Sequence, residues 1–196
     1  MSADLDKLMD FMEFTHEIRR IERTIHFEHD RQENDMEHQY QLALTAWFLI
    51  ENDKLPLDKS RCVGLSLIHD IVEVYAGDVS VHLPGYDHPD RSKNELRAAK
   101  KIEKQWPTFT SYKDLVQEYE ARQTPEAKFI YALDKLIPIL NIYLYKGRSW
   151  HIMGISLEEM KRVKVGKVDV SPEIAEYYLQ FLKLVEQKPK LFGSKQ

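Results

Sequence analysis

The chain has 196 residues, 43% of them hydrophobic and 31% charged, so it can bury one sizeable core and has the composition of a globular domain. A formal net charge of -4 gives no general attraction to nucleic acid or anionic membrane, and we expect neither as a partner. The single cysteine excludes an internal disulfide, and no apolar run approaches the roughly 20 residues of a membrane-spanning helix.

Helical patterns dominate the first part of the chain. Apolar side chains three and four residues apart predict amphipathic helices, whereas the polar stretch TIHFEHDRQEND has no sustained period and predicts a loop. The acidic, amphipathic N-terminal segment is unlike a signal peptide, which favours a cytoplasmic location. In chain order, the predicted elements are a helix at 3–21, a loop at 24–35, and helices at 36–51 and 58–75.

Two proline-containing signatures mark the second part of the chain. Thr124-Pro125-Glu126 and Ser171-Pro172-Glu173 each combine an N-cap, a proline at the first helical position and an acidic first turn. Convincing strand alternation is absent, so we predict one all-α domain, a helical bundle over 1–187, with a loose tail at 188–196. The remaining predicted elements are a loop at 78–91 and helices at 91–105, 111–122, 125–145, 156–163 and 172–187.

Charged and polar residues interrupt the apolar stretch LIHDIVEVYAGDVS. Glu73 comes four residues after His69 and three after Asp70, so the three side chains can share one helix face. Burying a carboxylate costs several kcal/mol unless it is paired or bound to a cation. A His-Asp pair that caps a core cluster, with Glu73 in solvent, is the simpler interpretation of this stretch alone.

Two other predicted helices carry residues of the same kind. His38 lies at the start of one helix, and Asp134 interrupts the apolar run IYALDKLIPIL of another, where a simple salt bridge would also explain it. Together, two imidazoles and two carboxylates suit a borderline divalent ion such as Mn, Co, Fe, Ni or Zn. Such an ion lowers the pKa of bound water and polarises a phosphoryl oxygen.

The order His38, His69-Asp70, Asp134 resembles the H…HD…D signature of the HD-domain metal-dependent phosphohydrolases, which are helical bundles. The segments RQENDMEHQYQLALTA, LIHDIVEVYAGDV and PEAKFIYALDKL are similar to the 5′-deoxynucleotidase-like branch of that family. The resemblance extends from about Arg23 to Leu140. It implies a single bundle of the HD-domain type, a divalent metal cofactor (Mn, Co, Fe, Ni, Zn or Mg) and a small nucleotide substrate.

Site roles follow from the resemblance alone. Glu73 is expected to position or deprotonate the attacking water, with Asp78 as its partner in proton handling or as a ligand of a second ion. Arg23 resembles the phosphate-contacting arginine of the family, although without the resemblance a solvated helix end beside Arg19 and Arg20 is the favoured interpretation. Asn34 is expected to reach the substrate. The implied metal ligands are His38, His69, Asp70 and Asp134.

The sequence departs from the family pattern at two places. Thr24 stands where the bacterial nucleotidases have a tryptophan, and VSVHLPGYDHPDRSK replaces a Thr-Pro segment with a phosphate-binding lysine. These departures leave the base and sugar preference open, together with the role of the loop from His82 to Asp90. That loop is expected to lie on the substrate side, as a lid, or simply in solvent.

The predicted function is that of a metal-dependent phosphomonoester hydrolase that releases phosphate from deoxynucleoside 5′-monophosphates. A regulatory module that binds nucleotide with little turnover is one alternative, although the complete ligand set argues against it. A phosphodiesterase or pyrophosphohydrolase acting on a cyclic or polyphosphorylated nucleotide is another. Helices outside the site carry enough apolar surface for a homodimer, which we predict without assigning the face.

Overall fold

The computed structural model describes residues 3–77 and 91–193, which contain ten α-helices and one β-hairpin. The predicted predominance of helix is therefore confirmed. Short 3-10 turns occur at Glu28–Asp30, Val168–Val170 and Pro189–Leu191. In chain order, the elements are α1 (Leu5–Ile18), β1 (Glu22–His26), β2 (Gln32–Asn34), α2 (Asp35–Asn52), α3 (Lys59–Ile68), α4 (Glu73–Ala76), α5 (Arg91–Gln105), α6 (Thr110–Ala121), α7 (Pro125–Leu144), α8 (Arg148–Ile152), α9 (Leu157–Lys164) and α10 (Pro172–Glu186).

Side-chain caps define where several helices begin. The side chain of Thr124 accepts a hydrogen bond from the backbone N–H of Ala127, and Pro125 occupies the first turn of α7, as its sequence signature predicts. At α10 the signature works differently, because the hydroxyl of Ser171 donates to the carboxylate of Glu173 at 2.7 Å instead of capping the backbone. Both signatures nevertheless predict the correct helix start.

The expected loop at 24–35 is wrong in part, because β1 and β2 form an antiparallel hairpin there. Glu22 pairs with Asn34 and His26 pairs with Gln32, while Ile25 turns into the core with 3% of its surface exposed. The strands have only five and three residues. Strands this short lack the alternation that identifies a strand. The hairpin also packs against α7 and α8, which are distant from it in sequence.

The single helix expected at 58–75 is also wrong, since α3 ends at Ile68 and α4 begins at Glu73. The backbone N–H of Glu73 bonds to the carbonyl of Asp70, three residues back, instead of the α-helical partner four residues back. The His-Asp pair therefore lies in a tightened turn between two helices.

Helix α7 lies at the centre of the core and packs against α2, α3, α6 and α10. Its side chains are buried along most of its length, which explains why its sequence is nearly continuously apolar. Within the ranges described, none of the helices combines the length and the apolar composition that crossing a bilayer requires.

The segment after α10 differs from the loose tail that we expected from residue 188. Phe192 is 8% exposed, and its ring stacks on Trp150 with centroids 4.4 Å apart. The backbone N–H of Gly193 also bonds to the carbonyl of Ile155 at 3.0 Å. Apolar contact with α8 therefore orders residues 189–193, despite the polar composition of the tail.

Candidate metal centre

Four side chains from three parts of the fold meet beside α7. His38 comes from the first turns of α2, His69 and Asp70 from the turn after α3, and Asp134 from α7. One possible ligand atom from each residue lies within 4.8 Å of all the others. These are the four residues for which a metal-binding role was predicted, and the fold brings them together.

His38 is fully buried, and its Nε2 lies 3.0 Å from Oδ1 of Asp134. Burial and the nearby positive charge of Arg23 lower the pKa of His38 to about 4. The ring is therefore neutral at physiological pH, which is the form that binds metal ions. Its other nitrogen, Nδ1, faces Oε2 of Glu33 at 3.8 Å.

His69 is held in a defined orientation by the backbone. Its Nδ1 lies 2.9 Å from the carbonyl oxygen of Ser66, which directs Nε2 toward the carboxylates. Burial by itself would lower the pKa of His69, but Asp70 and Asp134 outweigh it and raise the value to about 10. The ring thus carries a proton between the carboxylates, at the position where a cation would replace it.

Asp134 receives positive and hydrogen-bonding groups from two sides. Lys135 Nζ lies 2.6 Å from Oδ2, and the hydroxyl of Tyr119 donates to the same oxygen at 3.1 Å. Burial opposes ionisation, but Lys135 and the two histidines keep the pKa of Asp134 well below its ordinary value. Asp134 is thus a permanent carboxylate; no sequence signal singled out Tyr119 as its partner.

A second acidic group adjoins the first and shares one residue with it. Asp35, Asp70 and Glu73 place carboxylate oxygens within 4.8 Å of one another. Burial and the charge of Asp70 raise the pKa of Asp35 to about 6, and a side-chain hydrogen bond joins Asp35 to Glu73. Asp35 is absent from the residues predicted from the sequence, although its position three residues before His38 on α2 would have indicated it.

Arg23 on β1 forms ion pairs with three carboxylates instead of extending into solvent. Its Nη1 donates to Asp35 at 2.8 Å and to Asp70 at 3.0 Å, and its Nε lies 3.2 Å from Glu33. Only 15% of the side chain is exposed. The alternative of a solvated helix end is therefore wrong, because the hairpin carries Arg23 to the edge of the cluster.

Glu33 and Asn141 form a buried hydrogen-bonded group next to the cluster. Glu33 is 1% exposed, and burial raises its pKa to about 7 despite the neighbouring Arg23. Asn141 of α7 donates to Glu33 at 2.9 Å and to Gln41 of α2 at 2.6 Å. These bonds tie β2, α2 and α7 together around His38.

The roles predicted for Asn34 and Asp78 differ in what the structure says about them. The side chain of Asn34 accepts from the backbone N–H of Glu37 at 3.0 Å and forms a capping box that starts α2. The predicted substrate contact of Asn34 stays a prediction. Asp78 and the loop from His82 to Asp90 lie outside the described residues, so their predicted roles have no structural counterpart here.

The residues present fit a divalent cation. Two imidazole nitrogens and two carboxylate oxygens converge, and the turn around Ser66 orients one imidazole for coordination. The second group adds two further carboxyl side chains beside Asp70. A divalent ion bound here would be able to coordinate a water molecule and a phosphoryl oxygen at the same time.

Comparison with known proteins agrees with this geometry. A family profile described as the HD domain matches residues 15–175. The chain is 32% identical to 5'-deoxynucleotidase HDDC2 of Xenopus laevis, over 71% of this chain and 69% of that protein. The human protein of the same name is 32% identical over 71% and 68%. The crystal structure of a predicted metal-dependent phosphohydrolase from Magnetospirillum magnetotacticum aligns with a TM-score of 0.80 and 28% identity, covering 96% of this chain and 95% of that one.

Proposed function

Because this chain belongs to the HD-domain family, we propose that it is a metal-dependent hydrolase of deoxynucleoside 5′-monophosphates, releasing nucleoside and phosphate. The convergence of His38, His69, Asp70 and Asp134 is the observation that carries the proposal. The names of the two relatives support the substrate class. The alignments cover 69% and 68% of the length of those relatives.

In the proposed mechanism, His38, His69, Asp70 and Asp134 hold the cation. When bound, a divalent ion would lower the pKa of a coordinated water and polarise a phosphoryl oxygen. Lys135, 2.6 Å from Asp134, helps to keep that carboxylate ionised, and the Tyr119 hydroxyl fixes its position with a hydrogen bond of 3.1 Å. A neutral His38 would offer the lone pair of Nε2 to a cation in the tautomer that carries its proton on Nδ1, which faces Glu33 at 3.8 Å.

The carboxylates of the second group handle the proton. The family pattern gives Glu73 the role of positioning or deprotonating the attacking water, and its place in one buried group with Asp35 and Asp70 supports that role. Arg23 offsets the negative charge that develops on the phosphoryl oxygens, because its guanidinium already adjoins Asp70. Asp78 is proposed as a further proton-handling group on the basis of the family pattern.

The decisive experiment measures phosphate release by purified protein loaded with Mn or Co. The substrates are deoxynucleoside monophosphates, ribonucleoside monophosphates, a cyclic nucleotide and a nucleoside triphosphate. We expect release from deoxynucleoside monophosphates, lost in Asp70→Ala and retained in Asp10→Ala, because Asp10 is exposed on α1. Unchanged turnover in Asp70→Ala would contradict the site, and tight nucleotide binding without any release would favour the regulatory alternative.

We also infer a homodimer in the cytoplasm. Helix α2 exposes a row of large apolar side chains spaced three and four residues apart, which supports burial against a second copy. Sedimentation analysis of the wild type and Phe48→Glu checks the assembly, because a charge in this row should shift a dimer toward monomer. The exposed side chains are Met36, Tyr40, Leu44, Trp47 and Phe48.

A further inference from the structure

The two carboxylate oxygens of Asp134 have different surroundings. Oδ1 lies 3.0 Å from Nε2 of His38 and 3.7 Å from Nε2 of His69. Oδ2 instead lies 2.6 Å from Nζ of Lys135 and accepts a hydrogen bond of 3.1 Å from the hydroxyl of Tyr119. Only 1% of the surface of Asp134 is exposed, so protein groups and not solvent determine both arrangements.

The two donors leave Oδ2 without a free lone pair. A carboxylate oxygen offers about two lone-pair sites, and Tyr119 and Lys135 use one each. Oδ1, which faces the imidazole nitrogens, is therefore the oxygen of Asp134 that is available to a cation. Carboxylates can bind metal ions through one oxygen or through both, so the neighbours of the second oxygen decide between these modes.

The mode in which Asp134 binds determines how many coordination positions remain at the metal. With one donor atom each, His38, His69, Asp70 and Asp134 supply four protein donors. A catalytic metal ion must keep positions open for water and substrate. Binding through both oxygens of Asp134 would add a fifth protein donor and fill a position that a water molecule or a phosphoryl oxygen needs.

Tyr119 belongs to α6, a helix that supplies none of the four predicted ligands. Its ring centroid lies 5.3 Å from that of His69, while its hydroxyl donates to Asp134. One side chain thus contacts two ligands that come from different parts of the fold. Phenylalanine at this position would keep the ring contact and lose only the hydroxyl, so the two contacts can be tested separately.

We propose that Tyr119 and Lys135 are positioning residues that restrict Asp134 to a single metal-binding oxygen, Oδ1, and so keep coordination positions open for water and the phosphoryl group. The inference rests on the proposed function, in which the reaction takes place at the metal. Both residues act through Asp134 in this role. Their removal should therefore change the coordination of the metal ion while all four ligands remain.

Tyr119→Phe tests the role of the hydroxyl in protein saturated with Mn²⁺ and free of nucleotide. Octahedral Mn²⁺ with four protein donors holds about two water molecules, so a second oxygen from Asp134 should lower its water-proton relaxivity by about half. Elemental analysis should find the Mn²⁺ content of the wild type, and kcat should fall at least about tenfold.

The matched control is Tyr112→Phe on the same helix. It removes a buried hydroxyl that has no hydrogen-bond partner among the described residues. Relaxivity and kcat should therefore stay at their wild-type values. An equal decrease in this control would reveal a general disturbance of α6 and contradict the proposal.

Two variants of Lys135 test the same oxygen independently and decide the question if Tyr119→Phe does not fold. Lys135→Met removes a donor and should lower the relaxivity, whereas Lys135→Arg retains a donor and should preserve it. Wild-type relaxivity in both Tyr119→Phe and Lys135→Met would overturn the proposal. Loss of Mn²⁺ from both would also overturn it, because the donors would then hold the whole site together. Lack of phosphate release by the wild type would instead overturn the proposed function, since the relaxation measurement requires no turnover.

Discussion

At the residue scale, two histidines in the same cluster have opposite acid–base properties because of their neighbours. Burial and the charge of Arg23 lower the pKa of His38 to about 4, whereas Asp70 and Asp134 raise that of His69 to about 10. Two identical imidazoles thus have pKa shifts in opposite directions: burial favours the neutral form of His38, and the adjacent carboxylates favour the protonated form of His69. A divalent cation at the cluster would displace the proton of the second ring, so metal binding should release protons.

Asp35 provides the first prediction at this scale. Asp35→Asn should lower kcat for phosphate release at least about tenfold, because it removes the carboxyl that is hydrogen bonded to Glu73 and paired with Arg23. The metal content should persist, since the cluster of His38, His69, Asp70 and Asp134 is unchanged. Steady-state kinetics and elemental analysis measure the two effects. A kcat within about twofold of the wild type would contradict a role for Asp35 in proton handling.

Lys164, at the end of α9, is a buried cation with 7% of its surface exposed. Burial, followed by the charge of nearby Lys135, lowers its pKa from 10.5 to about 7. Below about pH 7 the lysine is protonated in both the folded and the unfolded chain, so the full cost of burying a cation is present. Between pH 7 and 10.5 the unfolded chain binds the extra proton, and this cost shrinks as the pH rises.

Lys164→Met should therefore raise the free energy of unfolding by at least about 1 kcal/mol at pH 6, and the gain should diminish toward pH 9. Urea unfolding of chelator-treated protein at several pH values measures the difference between variant and wild type. Lys183→Met serves as the control, because Lys183 is exposed on α10. A gain that is constant across this pH range would show that the charge of Lys164 is not its cause.

At the scale of elements, the start of α2 organises the site. Asn34 caps the helix, and the next residues along the same helix place Asp35 and His38 in the cluster. The capping box therefore stabilises the part of the backbone from which two site residues extend. This structural role of Asn34 exists whether or not its amide also contacts a substrate.

Asn34→Ala should lower the free energy of unfolding by about 1 kcal/mol, whereas Asn34→Ser, which retains a capping oxygen, should stay within about 0.5 kcal/mol of the wild type. Denaturant titrations measure both variants. The serine variant then tests the predicted substrate contact without the capping effect. A raised KM in Asn34→Ser supports the contact, and an unchanged KM leaves helix capping as the only role.

At the scale of the whole molecule, residues beyond α10 close the core around α8. Gly147 has a φ of 74°, and a Cβ there would lie 1.9 Å from the carbonyl oxygen of Leu191. The close approach of these two segments thus requires glycine. Phe192 then stacks on Trp150, which is 1% exposed.

Phe192→Ala should lower the free energy of unfolding by about 3 kcal/mol, because it removes a buried aromatic side chain and leaves a cavity against Trp150. Lys190→Ala, an exposed change in the same segment, should alter stability by less than about 0.5 kcal/mol. Chemical denaturation compares the two. Equal, small effects would mean that this segment is loose in solution, as its composition suggests.

Local patterns in the sequence predict the helices and the chemical type of the site. Apolar spacing identifies most of the helices, and caps such as Thr124-Pro125-Glu126 identify their starts, because both depend on residues a few positions apart. The order His38, His69-Asp70, Asp134 indicates a metal-dependent phosphohydrolase by resemblance to a family. These features depend on short stretches of chain and on the identity of individual residues.

Tertiary structure decided the hairpin, the break after Ile68, the position of Asp35 and the two contacts of Tyr119. The site depends on contacts between distant parts of the chain: His38 meets Asp134 across 96 positions, and Arg23 meets Asp70 across 47. The periodicity of a single helix carries no information about which face another helix will cover. The sequence by itself therefore determined which residues could bind a metal ion, and only the packing of the helices around α7 decided which side chains surround them, because burial and pairing are properties of the assembled core.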